Sequence, residues 1–492
     1  MELTAVEVDI GTRSPTILLN RADATELGVR PLDRVQLSHG DRISIGIVEV
    51  TDGLVSRGTL GVTRRLGHVA GVVDVTLAPR PVSVSFIRKK LDDVELEHHE
   101  LRAIVEDIDA DRLNDVELAA YVTGTYTNGL SLAETRSLTE IMTDVGESLV
   151  WKDPIIADKH SIGGVAGNRI TPIVVSIVAA AGIKIPKTSS RAITSPAGTA
   201  DTMAVFCPVE FTLAEIQQIV EQVGGCLVWG GGVNLSPVDD KIIRVETPLS
   251  LDPPGQIIAS VLSKKKSAGS THVVIDIPYG EGAKVRDLPN ARELAEDFKR
   301  VGEHLGLTVE CTITSGSAPI GRGIGPVLEA RDVLAVLDGG GPKELRLKSL
   351  RIAEILLGCC TSDANASTLL ESGAALAKFR EIVAAQGGDP DVTIADLVPG
   401  GETVEVRADR AGVVTHIDNA LVSELARRAG APKDAGAGLY LNCTVGEHVE
   451  VGHPLFTIHA EHEAKLAEAT QLLAVSEPVR VRSVGEALVE RI

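Results

Sequence analysis

A glycine-rich stretch that opens with a lysine, a histidine and a serine is the segment best suited to chemistry. It reads Asp158-Lys159-His160-Ser161-Ile162-Gly163-Gly164-Val165-Ala166-Gly167-Asn168-Arg169. The pattern predicts a strand before it, Ile155–Ala157, and a helix after it, Thr171–Ala181. Glycines let backbone N–H groups approach an oxyanion, and the helix N-terminus adds partial positive charge. Lys159 and Ser161 add a cation and a hydroxyl, so the segment predicts a phosphate cradle. It is neither a P-loop nor a dinucleotide fingerprint, since both motifs are absent.

A second polar loop, Thr188–Asp201, follows another predicted strand and is rich in hydroxyl groups around Arg191. Hydroxyl and guanidinium donors suit the oxygens of a second phosphate or of a sugar. The alternative is an ordinary loop in which Thr199 caps the next helix.

Two further segments could complete a site. Asp252 precedes Pro253-Pro254-Gly255 at a predicted helix start, and Ser260 and Lys264 lie four residues apart on the same helix face. The Asp252 carboxylate is either a helix cap or, if burial raises its pKa, a general acid. Lys284 ends a Gly-Glu-Gly-Ala-Lys turn after a predicted strand, and it is either a ligand-binding cation or a solvated lysine.

The elements that must position these residues change along the chain. Period-two alternation predicts strands at Val6–Ile10 and Ile43–Ile47, and capping boxes at Asn114/Glu117 and Ser131/Glu134 predict helices. Strands then alternate with helices, which indicates a parallel sheet covered on both faces. Near the C-terminus the pattern predicts strands at Gly412–Val414 and Val449–Leu455 and a helix at Ala420–Ala429. The predicted domains are 1–86; 87–150 with 237–268; 151–236 with 269–400; and 401–492.

Composition limits the function classes. The chain has 48 basic and 68 acidic residues and a net charge of −20, which argues against nucleic acid as a partner. Six cysteines form no Cys-x-x-Cys pair, which gives no support to a zinc ribbon. We predict no secretory signal, no membrane span and a cytoplasmic location.

Several collinear motifs resemble the thymidine phosphorylase (pyrimidine nucleoside phosphorylase) family. The resemblance covers about residues 86–480. Its motifs are Lys-His-Ser-x-Gly-Gly at Lys159–Gly164, Gly-Thr-x-Asp at Gly198–Asp201, and the segments Ser236–Lys241, Ala259–Lys265 and Pro319–Gly325.

Within this family the chain looks most like the archaeal branch that acts on AMP. The β-rich segment before residue 86 is absent from ordinary thymidine phosphorylases. Gly167-Asn168-Arg169 stands where thymidine enzymes usually carry Gly-Asp, and Ser190–Ser195 replaces a glycine-rich version of the second loop.

The resemblance implies a multidomain α/β fold: a helical lobe facing a mixed, largely parallel α/β lobe. An N-terminal β-rich domain and a C-terminal α+β barrel-like domain would flank them. It also implies a pentosyltransferase that converts AMP and phosphate to adenine and ribose 1,5-bisphosphate, with CMP and UMP as further substrates. No metal or organic cofactor is expected. The resemblance also implies a homodimer or larger homo-oligomer.

The resemblance also assigns residues. Asp252 would donate a proton to the departing base, and Lys159 and Ser161 would hold the attacking phosphate. The residues that would bind AMP are Gly164, Ser190, Arg191, Ala192, Ile193, Thr194, Ser195, Thr199, Ser260 and Lys284.

Three other functions compete with this one. A nucleoside phosphorylase would differ only in not requiring a 5′-phosphate. A phosphoribosyltransferase of the anthranilate type would need a pyrophosphate loop and magnesium-binding carboxylates, which the sequence does not convincingly place. A lipoyl-type carrier would need a lysine in a hairpin turn, and neither Lys433 nor Lys465 occupies one, so the C-terminal part is predicted to be structural and to help assembly.

Overall fold

The computed structural model describes residues 1–12, 14–40, 42–192, 195–249 and 251–483. Contacts between Cα atoms divide the chain into two compact units. The first comprises residues 1–145 and 237–259, and the second comprises 146–236 and the chain from 260 onward. Within the described residues, no helix combines the length and apolar character needed to cross a membrane.

The first unit begins with a closed six-stranded barrel. Alternating apolar residues of its strands, among them Ile17, Val35 and Leu60, fill the barrel interior. The order of the strands around the barrel is β1-β5-β2-β4-β3-β6, closed by pairing of β1 with β6. The elements are β1 (Glu2–Val8), β2 (Thr16–Asn20), α1 (Arg21–Leu27), β3 (Arg34–His39), β4 (Arg42–Thr51), β5 (Thr59–Thr63) and β6 (Gly71–Leu77).

Four helices follow the barrel in the same unit. Both predicted capping boxes are confirmed: the Asn114 and Ser131 side chains accept from the backbone N–H of Glu117 and Glu134, whose carboxylates accept in return. The Arg34 guanidinium pairs with Glu117, which ties the barrel to these helices. The helices are α2 (Ser83–Leu91), α3 (His98–Asp109), α4 (Asp115–Asn128) and α5 (Leu132–Asp144).

The chain then alternates strands and helices, as the pattern predicted. The elements are β7 (Ala157–Ser161), α6 (Thr171–Ala180), β8 (Ile185–Ser189), α7 (Thr199–Met203), α8 (Leu213–Val223), β9 (Gly225–Trp229), α9 (Pro237–Leu249), α10 (Pro254–Ser267), β10 (His272–Tyr279), α11 (Leu288–His304), β11 (Thr308–Ser315), β12 (Gly323–Ile324), α12 (Pro326–Leu337), α13 (Lys343–Cys359), α14 (Ala366–Glu371) and α15 (Ala374–Ala385). Helix α9 and the start of α10 return to the first unit, where Val238, Ile242 and Ala259 join the core of the helices.

Strands β7 to β11 of the second unit pair in parallel. Strand β10 pairs with β11 on one side and with β7 on the other, and β8 pairs with β9. A single parallel bridge, Ile156 to Lys184, joins the two parts. The predicted strand Ile155–Ala157 was placed too early: β7 runs from Ala157 to Ser161, because its pairing with β10 continues to Ser161. Lys159 and Ser161 therefore project from a central strand and not from the loop after it.

The C-terminal region shares a sheet with the preceding α/β region. Strand β12 pairs with β15, which brings Ile324 beside Leu439. The two sheets there have the orders β12-β15-β17-β13 and β16-β14-β18. The elements are β13 (Glu402–Arg407), β14 (Gly412–Ile417), α16 (Asn419–Arg428), β15 (Gly438–Leu441), β16 (His448–Val449), β17 (Pro454–Ala460), α17 (Glu463–Leu473) and β18 (Val479–Arg482).

One strand prediction in this region is wrong. The pattern predicted a single strand over Val449–Leu455, whereas β16 ends at Val449 and β17 begins at Pro454. Gly452 between them has φ of 81°, a left-handed conformation that interrupts the extended backbone.

A buried ion pair stabilises the helices of the first unit. Both carboxylate oxygens of Glu134 lie 2.9 Å from the Lys90 Nζ, and Glu134 also accepts from the backbone N–H of Leu96 and Ser131. Both side chains are buried. Water does not solvate a charge in this position, so the stability of each charged group depends on the presence of its partner.

We predict that Glu134→Gln lowers the thermal unfolding midpoint, because the substitution leaves the buried Lys90 ammonium without a carboxylate. Removal of one member of a buried pair typically costs about 3–5 kcal/mol. Calorimetry of the single variant and of the double variant Lys90→Met, Glu134→Gln tests the pair. The double variant removes both charges and should recover most of the loss; a double variant as unstable as the single one would contradict this explanation.

Candidate active site

The glycine-rich loop between β7 and α6 has a backbone conformation that favours glycine. Gly163, Gly164 and Gly167 have φ of 92°, 87° and 67°, values that other residues rarely adopt. A side chain at Gly164 would begin 2.7 Å from the backbone nitrogen of Lys284. The structure thus brings together two of the predicted AMP-binding positions, Gly164 and Lys284, through direct backbone contact.

Lys159 lies on β7, and its side chain extends to the start of the helix that follows the loop. Its side chain is buried, and its Nζ donates to the Thr171 hydroxyl at 2.8 Å, in the first turn of α6. Burial lowers the pKa of Lys159 to about 7, although the nearby Asp276 carboxylate acts in the opposite direction. No side chain caps the N-terminus of α6. A lysine and uncapped N–H groups in one place can bind an anion.

Ser161 belongs to a hydrogen-bond network centred on Asp276 of β10. The Ser161 hydroxyl donates to Asp276 at 2.8 Å and accepts from the Asn168 amide at 3.3 Å. The other carboxylate oxygen accepts from Thr314 at 2.6 Å, and the Lys348 Nζ lies 2.8 Å from Asp276. This network holds the Ser161 hydroxyl at the carboxyl end of β7, where ligands of parallel sheets bind.

Asp276 is charged despite its complete burial. Burial raises its pKa, but Lys348 and Lys159, with hydrogen bonds from Lys348 and Thr314, outweigh that effect and the pKa is lowered. Asp276 and Lys348 were not predicted as site residues from the sequence. The only signal was an aspartate inside the apolar run Val273-Val274-Ile275-Asp276-Ile277.

The second loop is closed by Asp201 in the first turn of α7. The Asp201 carboxylate accepts from the backbone N–H of Ala192 at 2.6 Å and of Gly198 at 2.8 Å. The N-cap of α7 is Gly198, so the alternative in which Thr199 caps the helix is wrong. Among the predicted AMP-binding residues, Ser190 and Ser195 are exposed. Ile193 and Thr194 lie outside the described residues.

Arg191 is already engaged by acidic side chains. Its guanidinium lies 3.3 Å from Asp201 and 2.8 Å from Glu210, and it stacks 5.1 Å from the centre of the Trp229 ring. The sequence suggested a cation available to a phosphate. The structure shows a cation that would first have to give up its contact with the exposed Glu210.

Arg169 joins the two loops. It donates to the Thr199 hydroxyl at 2.9 Å, to the Ala197 carbonyl at 2.7 Å and to the Glu329 carboxylate at 2.6 Å. Burial raises the pKa of Glu329, whereas Arg169 acts to lower it. Arg169 is a departure from thymidine enzymes in the sequence, but its contact with Glu329 could not be predicted there, because the two residues lie 160 positions apart.

The remaining predicted residues, Lys284, Ser260 and Asp252, lie on three different segments of the chain. Lys284 is exposed in the turn after β10, and Ser260 lies on α10 with its carbonyl accepting from the Ser263 hydroxyl at 3.4 Å. Asp252 belongs to the first unit and is exposed two residues before α10. The structure does not give Asp252 the buried environment that the general-acid hypothesis invoked.

One group with metal-ligand spacing occurs within the described part of the chain: Asp434, Glu461 and His462. None of the three belongs to the site predicted from the sequence. Exposed acidic groups of this kind commonly hold no ion.

Three segments match known domain families. Residues 84–146 match the helical bundle domain of a glycosyl transferase family, and residues 153–339 match the a/b domain of a glycosyl transferase family. Residues 413–477 match the pyrimidine nucleoside phosphorylase C-terminal domain. The order of the three matches follows that of the helical, α/β and C-terminal regions described above.

Curated relatives match the chain from end to end. AMP phosphorylase from Natronomonas pharaonis is 60% identical over 499 residues, covering 100% of both chains. AMP phosphorylase 1 from Archaeoglobus fulgidus is 46% identical and covers 98% of this chain and 97% of its own. AMP phosphorylase from Thermococcus kodakarensis is 46% identical and covers 95% of each.

A solved structure shares the fold of part of the chain. Anthranilate phosphoribosyltransferase from Thermus thermophilus superposes with a TM-score of 0.53, covering 61% of this chain and 98% of its own. At 17% identity this likeness concerns the fold alone.

We predict that sulfate binding weakens as the pH rises through about 7, because Lys159 then loses its proton. Sulfate remains a dianion throughout, so the protein alone titrates. A lysine with a lowered pKa favours anion binding below that pKa, and affinity should fall by up to about tenfold per pH unit above it. Calorimetric titration from about pH 6 to about pH 9 measures the slope.

Lys159→Met is the control for this experiment. Desolvation and nearby lysines hold the pKa of His160 well below its ordinary value, so His160 stays neutral over this range. Burial also lowers the pKa of Lys348, which is paired with Asp276. A slope that persists in Lys159→Met would assign the titration to Lys348 or another group and refute the assignment to Lys159.

Proposed function

The chain belongs to the AMP phosphorylase family, and from that membership we propose how its residues divide the work of phosphorolysis. The reaction is the splitting of the N-glycosidic bond of AMP by inorganic phosphate, which yields adenine and ribose 1,5-bisphosphate. The observation that carries this function is 60% identity over the full length of a curated AMP phosphorylase. CMP and UMP are proposed as further substrates.

The attacking phosphate binds where Lys159, Ser161 and the glycine-rich loop converge. Its oxygens accept from the Lys159 ammonium and from backbone N–H groups of the loop and of the first turn of α6. Ser161, held by Asp276, sits at the end of β7 and fixes the orientation of the anion. Orientation matters because the nucleophile must lie within about 3.5 Å of the anomeric carbon for efficient attack.

The nucleotide binds beside the phosphate, at Gly164, Ser190–Ser195, Thr199, Ser260 and Lys284. Exposed Lys284 offers a cation, and Ser190 and Ser195 offer hydroxyl groups to a 5′-phosphate. Arg169 holds Thr199 and the second loop in register with the first. Together these contacts explain a preference for a nucleotide over a nucleoside.

Asp252 acts as the proton donor to the departing base. Loss of a purine anion is unfavourable, so protonation must accompany cleavage of the bond, and a general acid typically contributes about 10²–10⁴-fold in rate. Phosphate is itself the nucleophile, so the scheme needs no activated serine or cysteine.

The domain bounds remain proposals: 1–86; 87–150 with 237–268; 151–236 with 269–400; and 401–492. The helical and α/β family matches begin at residues 84 and 153, within three residues of the proposed starts at 87 and 151. The C-terminal match begins at residue 413, further from the proposed start at 401. We also propose a homodimer or larger homo-oligomer.

We further propose a cytoplasmic location. The six cysteines are all unpaired, as is usual for proteins of a reducing compartment.

We predict that the protein releases adenine from AMP only when phosphate is present. Chromatography of free base after incubation with AMP, CMP, UMP or thymidine, with and without phosphate, tests this outcome. Thymine release from thymidine at a comparable rate would favour a nucleoside phosphorylase. Absence of base release from every substrate would refute phosphorolysis.

We predict that Asp252→Asn lowers kcat by about 10²–10⁴-fold, because the amide cannot supply the proton. The KM for AMP should change far less, since the side chain acts mainly in the transition state. Asp115→Asn is a matched control, because Asp115 is an exposed aspartate in the first turn of α4 in the same unit. Equal loss of turnover and of AMP affinity would show that Asp252 binds substrate instead.

A further inference from the structure

A buried asparagine from the C-terminal region contacts the glycine-rich loop. Asn419 is the first residue of α16, 3% exposed, and its Oδ1 accepts from the backbone N–H of Ala166 at 3.1 Å. Its Nδ2 donates to the carbonyl of Gly316 at 2.9 Å. One side-chain amide therefore links the loop after β7 to the loop after β11.

Asn419 also contacts the turn that carries Lys284. A side chain at Gly282 would begin 3.3 Å from the Asn419 Cβ, so the backbone at Gly282 packs directly against it. Three loops thus meet at one residue, and two of them carry the predicted AMP-binding positions Gly164 and Lys284.

The contact fixes one half of the loop and leaves the other half accessible. The Ala166 N–H bonds to Asn419 and its carbonyl accepts from Ile320 N–H at 3.1 Å, so both polar groups of this residue are satisfied inside the protein. Gly163, by contrast, has no atom within 4 Å of the position that a side chain would occupy. An anion can approach the part of the loop around Gly163. The bonds of Ala166 determine the position in which that part is held.

The side chain of Asn419 is not needed to cap its own helix. Asp418 performs that task by accepting from the backbone N–H of Ala420 at 2.9 Å and of Leu421 at 3.0 Å. Both functional atoms of the Asn419 amide are directed instead to the loops. Both bonds require a side chain that accepts one hydrogen bond and donates another. An ionised aspartate can only accept, and a leucine can do neither.

We propose that Asn419 is a positioning residue for the attacking phosphate, acting through Ala166 and Gly316. This inference rests on the proposed function for the identity of the anion. It gives the C-terminal region a part in substrate binding, where the sequence indicated only a structural part. Loss of the amide leaves the buried Ala166 N–H and Gly316 carbonyl without partners, which the loop can relieve only by moving.

The test compares Asn419→Ala and Asn419→Asp with Asp418→Ala in the full-length protein. We expect Asn419→Ala to raise the KM for phosphate by about tenfold, the size expected for unpaired buried groups, while the KM for AMP changes by less than about threefold. Asn419→Asp keeps the acceptor for Ala166 and should give a smaller rise. Asp418→Ala removes the helix cap and should lower the unfolding midpoint without changing either KM.

The dissociation constant for sulfate is measured on the same variants and needs no turnover. It should rise in Asn419→Ala and stay unchanged in Asp418→Ala. An unchanged phosphate KM and sulfate affinity in a folded Asn419 variant would overturn the proposal, as would an equal effect of Asp418→Ala. If Asn419→Ala does not fold, the same criteria apply to Asn419→Asp. A wild-type protein that releases no base would refute the proposed function alone, because the sulfate comparison would still decide the role of Asn419.

Discussion

The burial of charged groups on the central strands is the constraint on which the site depends. A charge inside a covered sheet is unfavourable unless the protein replaces the lost water with partners. Asp276 on β10 meets this requirement through Lys348, Thr314 and Ser161, and Asp158 on β7 meets it through Lys265 at 2.7 Å. Because these partners come from several elements, satisfying the charges also fixes the strand ends and the loops that begin there.

Local features of this fold could be predicted from the sequence, and long-range ones could not. The capping boxes at Asn114 and Ser131 depend on residues three positions apart. The contacts of Arg169 with Glu329 and of Asn419 with Ala166 join residues 160 and 253 positions apart, which no local pattern specifies. The start of β7 was misplaced for a related reason: its polar residues resemble a loop, and only pairing with β10 makes them a strand.

The site is also electrostatically distinct from the chain as a whole. The protein carries a net charge of −20, yet its candidate anion site gathers the buried Lys159 with the partly buried Lys348 and Arg169 in one unit. Each of these cations touches a fixed partner, so they are oriented before any ligand arrives. Preorganised donors of this kind stabilise an anion without the cost of rearrangement during the reaction. A local group of cations can therefore bind an anion although the chain as a whole is acidic.

The pairing of β12 with β15 bears on how the chain acquires its structure during synthesis. Ile324 finds its partner Leu439 only after more than a hundred further residues have left the ribosome. Until then the strand at Gly323–Ile324 presents an unpaired edge, and Ala166 lacks Asn419. A nascent chain interrupted before this point would contain Lys159, Ser161 and Gly164 without the C-terminal residue that holds their loop. The contact that holds Ala166 therefore forms only after α16 has been synthesised.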